Sequence, residues 1–150
     1  NLISIILERG MRIRWSSDLE TGVRAIDRQH EELIGMLNEL DAAHAGGCPQ
    51  SVLDDVLQRL GTYVIFHFGT EEALMAGLPH NEEHARQHRH EHAGFIDKLA
   101  GLRAQGADDG RQTMEALIDY LNEWLYQHIL KSDRELAALL NRKQAARPQP

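Results

Sequence analysis

Apolar residues recur along this chain at alternating spacings of three and four, and no stretch sustains a spacing of two. That pattern predicts helices and argues against strands. The first stripe runs Val23, Ile26, His30, Leu33, Leu37, Leu40, His44 and stops at Gly46-Gly47. A second starts near Pro49, with Ser51 and Asp54 at capping-box spacing. It carries Leu53, Val56, Leu60, Tyr63, Val64, His67, Glu71 and Leu74, and breaks over residues 76–79. The third begins after Pro79, holds His84, His88, His92, Phe95, Leu99 and Leu102, and is expected to close over Gly106 to Gly110. The fourth carries Met114, Leu117, Leu121, Trp124, Leu125, His128 and Ile129 and extends towards Leu139-Leu140. Four amphipathic helices with short breaks predict an all-α fold, an antiparallel up-down-up-down four-helix bundle. The bundle is placed at residues 15–140, after an N-terminal extension or arm at 1–14. Residues 141–150 have little to bury and are expected to be a disordered tail.

Every stripe is interrupted by polar residues where a core side chain is due. Residues four apart share a helix face, so His67/Glu71 and His88/His92 each project together. His84 extends the third-helix run by another turn. Asp133 lies five residues beyond His128, about 140° round an ideal helix. It reaches the same face only if the helix widens locally, as in a π-type turn. A lone core histidine is usually a hydrogen-bonded packing residue, but seven such groups cannot all be. Each buried polar group left unsatisfied costs roughly 1–3 kcal/mol, so seven would cost about 7–21 kcal/mol against a net stability of about 5–15 kcal/mol. His30, His67, Glu71, His128, Asp133 and two of His84, His88 and His92 must satisfy one another or bind something, and a metal centre does both.

Composition narrows the choice. Nine histidines in 150 residues is the outlying count, and a single cysteine, Cys48, excludes a Cys-rich zinc module or a disulfide framework. Seven donors exceed the four of a tetrahedral zinc site, and imidazole with carboxylate suits iron among other metals. Two octahedral ions sharing both carboxylates and one oxygen would keep one position open for a small ligand such as O₂. The net charge of −7 argues against a nucleic-acid or anionic-membrane partner. No apolar run reaches transmembrane length. The opening stretch 1–7 lacks a basic flank and a small-residue cleavage site, so the expected compartment is the cytoplasm. Nothing in the composition demands an oligomer, and a monomer is expected, with a weak oligomer as the alternative.

The segments Ile26-Asp27-Arg28-Gln29-His30, His67-Phe68-Gly69-Thr70-Glu71-Glu72-Ala73-Leu74-Met75 and Trp124-Leu125-Tyr126-Gln127-His128-Ile129 with Asp133 resemble the hemerythrin family. Within it the likeness is greatest to the single-domain bacterial members, from about Trp15 to Asp133. The resemblance implies a non-haem di-iron centre, oxo- or hydroxo-bridged, held by five His, one Glu and one Asp and binding O₂ reversibly. Glu71 and Asp133 would be the bridges. The family's His-x-x-x-His pair fits either His84/His88 or His88/His92. Spacing after Pro79 favours the first; Phe95, Ile96 and Leu99 downstream of His92, and an ungapped match from His92 to His128, favour the second, which is preferred. Trp15 and Trp124 match aromatic positions explained by packing. Leu125 and Ile129 could wall an apolar pocket, and Asp27 could orient an imidazole or simply start a helix. His44, His80 and His90 read as surface or helix-end residues.

The leading reading is therefore an O₂ binder for transport, storage, delivery or sensing, not an enzyme. A di-iron oxidase, peroxidase or nitric-oxide reductase on the same scaffold is the alternative. Against it, the chain has no Glu-x-x-His motif of the carboxylate-rich di-iron enzymes. A metal store or purely structural metal bundle is a third reading, and it predicts indifference to O₂.

Overall fold

The computed structural model describes residues 12–109 and 111–146. Its helices are α1 (Arg24–Ala45), α2 (Gln50–Ala76), α3 (Glu82–Asp109), α4 (Arg111–His128) and α5 (Arg134–Ala145), with a π-helical turn, Ile129–Asp133, between the last two. The backbone keeps right-handed helical angles at His128 and at Arg134, so α4, the turn and α5 form one continuous rod. α1 packs on α2 and α4, and α3 packs on the same two helices. Sequence neighbours are thus spatial neighbours joined by short connections, which is the antiparallel four-helix bundle the periodicity predicts.

The helix ends follow from local chemistry. Before α1, the Asp27 carboxylate accepts hydrogen bonds from the Thr21 amide (2.7 Å), the Thr21 hydroxyl (2.8 Å) and the Gly22 amide (3.1 Å). Gly22 sits at φ +90°, a conformation open to glycine. Asp27 is therefore committed to the helix start and orients no imidazole. At the other end of α1, the Cys48 amide donates to the Ala43 carbonyl and the Gly47 amide to the His44 carbonyl, with Gly47 at φ +69°. That is a Schellman stop, as Gly46-Gly47 predicts.

Three expectations are corrected. α2 begins at Gln50 behind Pro49 with no side-chain cap; Ser51 lies inside the helix, and Asp54 instead accepts from the Gln50 amide group at 2.9 Å. α3 runs through Gly106 and on to Asp109, past its expected close, and Gly110 lies outside the described residues. α5 continues to Ala145, five residues into the stretch expected to be disordered, while 147–150 lie outside the described residues. Of the N-terminal extension, residues 1–11 also lie outside. Its last part packs against the bundle: Ile13 is buried in the core, and its amide donates to buried Asn122 at 2.9 Å.

The core divides into two apolar clusters. The larger includes Leu33, Val64, Phe68, Phe95, Leu125 and Ile129; the smaller is Ile26, Met75, Leu78, Ala85 and Leu136. Along each rod the chain passes from one cluster to the other through its polar residues: Ile26, His30, Leu33 on α1; Phe68, Glu71, Met75 on α2; Ala85, His88, His92, Phe95 on α3; Leu125, His128, Asp133, Leu136 on the last. The polar groups thus form a layer across the bundle with an apolar lid on each side. Leu136 is fully buried in the smaller lid. Leu136→Ala is expected to cost about 2–5 kcal/mol in urea denaturation; a loss under about 1 kcal/mol would show that this lid is not tightly packed.

Candidate metal centre

Seven side chains meet in the polar layer, and all are buried: His30, His67, Glu71, His88, His92, His128 and Asp133. Each imidazole turns its Nε2 inward. His30 Nε2 stands 2.8 Å from Asp133, His67 Nε2 2.8 Å from Glu71, and His92 Nε2 3.6 Å from Glu71. His88 Nε2 lies 3.0 Å from Asp133 and 3.4 Å from Glu71, and His128 Nε2 lies 3.1 Å from Asp133. Asp133 reaches this layer because the helix widens over Ile129–Asp133, which brings a residue five positions on beneath His128. Of the two third-helix registers, the structure places His92 in the layer. His84 stays half-buried outside it, with its Nε2 3.1 Å from the Nδ1 of His88.

The donors fall into two groups that could each hold an ion: Glu71, His88, His92 and His128 in one, and His30, His67, Glu71 and Asp133 in the other. Glu71 belongs to both. Two features fit metal ions. The facing Nε2 atoms of His88, His92 and His128 are 3.0 and 3.2 Å apart; nitrogens at right angles on one ion, each at about 2.1 Å, stand about 3 Å apart. Without an ion, a proton must lie between each such pair. Further, with the rings neutral, both oxygens of Glu71 and of Asp133, and the Nε2 atoms of His30 and His67, have no hydrogen-bond partner despite complete burial. Such atoms demand a cation or protons.

The chain matches the model of the Hemerythrin HHE cation binding domain over residues 21–140. The chain belongs to the hemerythrin family. Similar relatives include a bacteriohemerythrin of Stenotrophomonas maltophilia, 33% identical over 125 residues that cover 82% of this chain and 78% of the relative. A bacteriohemerythrin of Pseudomonas aeruginosa (strain LESB58) is 31% identical over 119 residues, 79% of this chain and 75% of its own. A hemerythrin-like protein of Naegleria gruberi is 28% identical over 126 residues, 84% and 92% of the two chains.

Outside the layer lies a second set of contacts that the apolar stripes do not reveal. The Gln29 amide oxygen accepts from His67 Nδ1 at 2.8 Å, while its NH₂ donates to the Thr70 hydroxyl at 3.1 Å. That fixes the proton of His67 on Nδ1 and turns the Nε2 lone pair inward. His128 Nδ1 lies 3.0 Å from Glu91, and His92 Nδ1 lies 3.6 Å from Glu72. Phe68 stacks on His92 at 3.8 Å and Trp124 on His128 at 4.4 Å between ring centres. Gln29 and Glu72 directly follow or precede an inward residue, so they sit about 100° round the helix from it. No periodicity picks them out; only the neighbouring helix does. His44 ends α1 near Glu115 (3.6 Å), and His80 and His90 are exposed, as expected.

Without a metal, protons take the cations' place. Burial pulls His88 down, but hydrogen bonds to Asp133 and Glu71 carry it up to about 9. Burial likewise opposes the charge on His128, yet Asp133 and Glu91 raise it to about 10. For Glu71, burial and the Asp133 charge push upward, and hydrogen bonds from His67 and His88 bring it down to about 2. A histidine raised above its unfolded value of about 6.5 stabilises the fold fully below that pH and loses the effect as pH rises through its folded value. The metal-free protein should therefore lose thermal stability between pH 7 and 10. Metal ligation needs neutral rings, so uptake at pH 7 should release protons into weak buffer. Uptake without release would contradict the charge balance described here.

Proposed function

We propose that this protein binds O₂ reversibly at a non-haem di-iron centre held by His30, His67, Glu71, His88, His92, His128 and Asp133. The observation that carries the reading is the division of the buried donors into two groups joined by one shared carboxylate. Held by these residues, two ferrous ions would supply the two electrons that reversible binding of one O₂ requires. The chain's own residues supply the rest. Gln29 holds His67 in the tautomer that presents Nε2 to the site, and Glu71 and Asp133 contribute two negative charges that would offset part of the charge of the ions.

The surroundings favour an apolar diatomic ligand. On the larger cluster's side of the layer lies a cavity of about 20 Å³, lined by Leu33, Val64, Phe68, Phe95, Trp124 and Leu125 among others. That is room for roughly one small molecule, and an apolar cavity of this kind stays dry. Phe68 and Trp124 line it on one face and stack on His92 and His128 on the other. They keep water, and the protons it carries, from that side of the site. Among the described residues lining the cavity there is no nucleophile and no acid–base pair. We read the protein as a monomeric cytoplasmic O₂ carrier or responder, with no nucleic-acid or membrane partner. No helix among the described residues is long and apolar enough to cross a membrane.

The test is an anaerobic ferrous reconstitution followed optically. Charge-transfer bands that appear on admitting air and fade on removing oxygen are the expected result. Irreversible oxidation at first exposure would favour the redox-enzyme reading, and two bound irons with no band would favour a structural metal.

Variants test the ligands. His67→Ala and Glu71→Ala should each lower iron content and thermal midpoint together, because metal that binds only the folded state adds stability by linkage. His92→Ala should lose iron, whereas His84→Ala should keep it; the reverse pair of results would move the third-helix ligands to His84/His88.

A further inference from the structure

The rod's departure from regular helix, the turn Ile129–Asp133, is touched at both ends by one oxygen of one side chain. Glu91, on α3 between His88 and His92, places its Oε2 3.0 Å from His128 Nδ1 and accepts a hydrogen bond from the Ser132 hydroxyl through the same atom. His128 is the residue before the turn, and Ser132 is the last but one within it. In a regular helix Ser132, four residues after His128, would share its face and point into the polar layer. Widening the turn moves Asp133 into that position and rotates Ser132 aside, where a buried hydroxyl needs an acceptor. Glu91 is that acceptor. Only the widened turn lets the same carboxylate hold His128 as well.

We infer that Glu91 is a positioning residue for the metal centre, which clasps the π turn across the bundle and so sets where both His128 and Asp133 point. This rests on the ligand assignment proposed above. The clasp acts in two ways. Its geometry favours the turn over regular helix at the place where Asp133 must enter the layer. Its charge, against Nδ1–H of His128, makes Nε2 a stronger electron donor. Half-exposed in a surface cleft that also holds His84 and Glu135, Glu91 touches no other member of the seven as closely.

Three variants separate these effects: Glu91→Ala removes clasp and charge, Glu91→Gln keeps the size and an acceptor oxygen without the charge, and Ser132→Ala frees the turn while leaving the charge on His128. The probe is Co²⁺, titrated against a competing chelator, with the Nδ1–H resonances of the bound rings read from the paramagnetically shifted proton spectrum. Glu91→Ala should bind Co²⁺ about ten- to a hundred-fold more weakly and lose one ring N–H signal to solvent exchange. Glu91→Gln should keep full Co²⁺ content and shift that one signal, which a merely structural role would not do. Ser132→Ala should weaken binding less than Glu91→Ala and leave the signal in place.

If Glu91→Ala binds within about twofold of the wild type with all ring signals kept, the inference is overturned. If Glu91→Ala fails to fold, Glu91→Gln decides, and an unchanged spectrum overturns it equally. A wild-type protein that takes up no Co²⁺ would instead overturn the ligand assignment beneath it.

Discussion

Two carboxylates and five imidazoles sit at the centre of this bundle with almost no access to water, and the rest of the structure is arranged around that burial. An isolated charge in such a place is strongly destabilising, and a half-satisfied polar network is worse than an apolar core. The observed solution is mutual: each Nε2 stands within 3.6 Å of a carboxylate oxygen. That leaves a cluster whose charges balance only with added cations, protons in the free protein and metal ions when loaded. The apolar clusters above and below hold the four helices at the spacing the cluster needs.

Helical geometry supplies most of the site at no cost. His67 with Glu71, and His88 with His92, are four apart and fall on one face of a regular helix. His128 and Asp133 are five apart and do not. The fold meets that mismatch by widening one turn, and π turns tend to occur where function requires them. The position of the turn follows: it begins immediately after one inward donor and ends on the next. Regularity is given up in one place on the rod, and that is the place where a donor gains access to the layer.

This division explains what could be read from the chain. Positions on the core stripe are largely legible, because burial follows period: His30, His67, Glu71, His88, His92 and His128 lie on apolar stripes and in the layer, while His44 and His84 share those stripes and stay outside it. Asp133 was legible only with the condition that the helix loosen, and the loosening is there. The choice between His84 and His92 rests on family spacing; in the fold His92 is covered by Phe68 while His84 borders solvent. Outer contacts were not legible. Gln29, Glu72 and Glu91 lie off the stripe, and their roles exist only once another helix is beside them. Helix ends were read unevenly. The Gly46-Gly47 stop has a backbone mechanism that sequence states directly, whereas Gly106 lies within a helix that runs on to Asp109.

The central claim is that one layer of seven side chains holds two ions that share Glu71. Anomalous diffraction at the iron edge from crystals of the iron-loaded protein tests it most directly. The account requires two iron peaks per chain, one among His88, His92 and His128 and the other beside His30 and His67, with Glu71 and Asp133 between them. A single peak, or an iron held by His84 in place of His92, would contradict it.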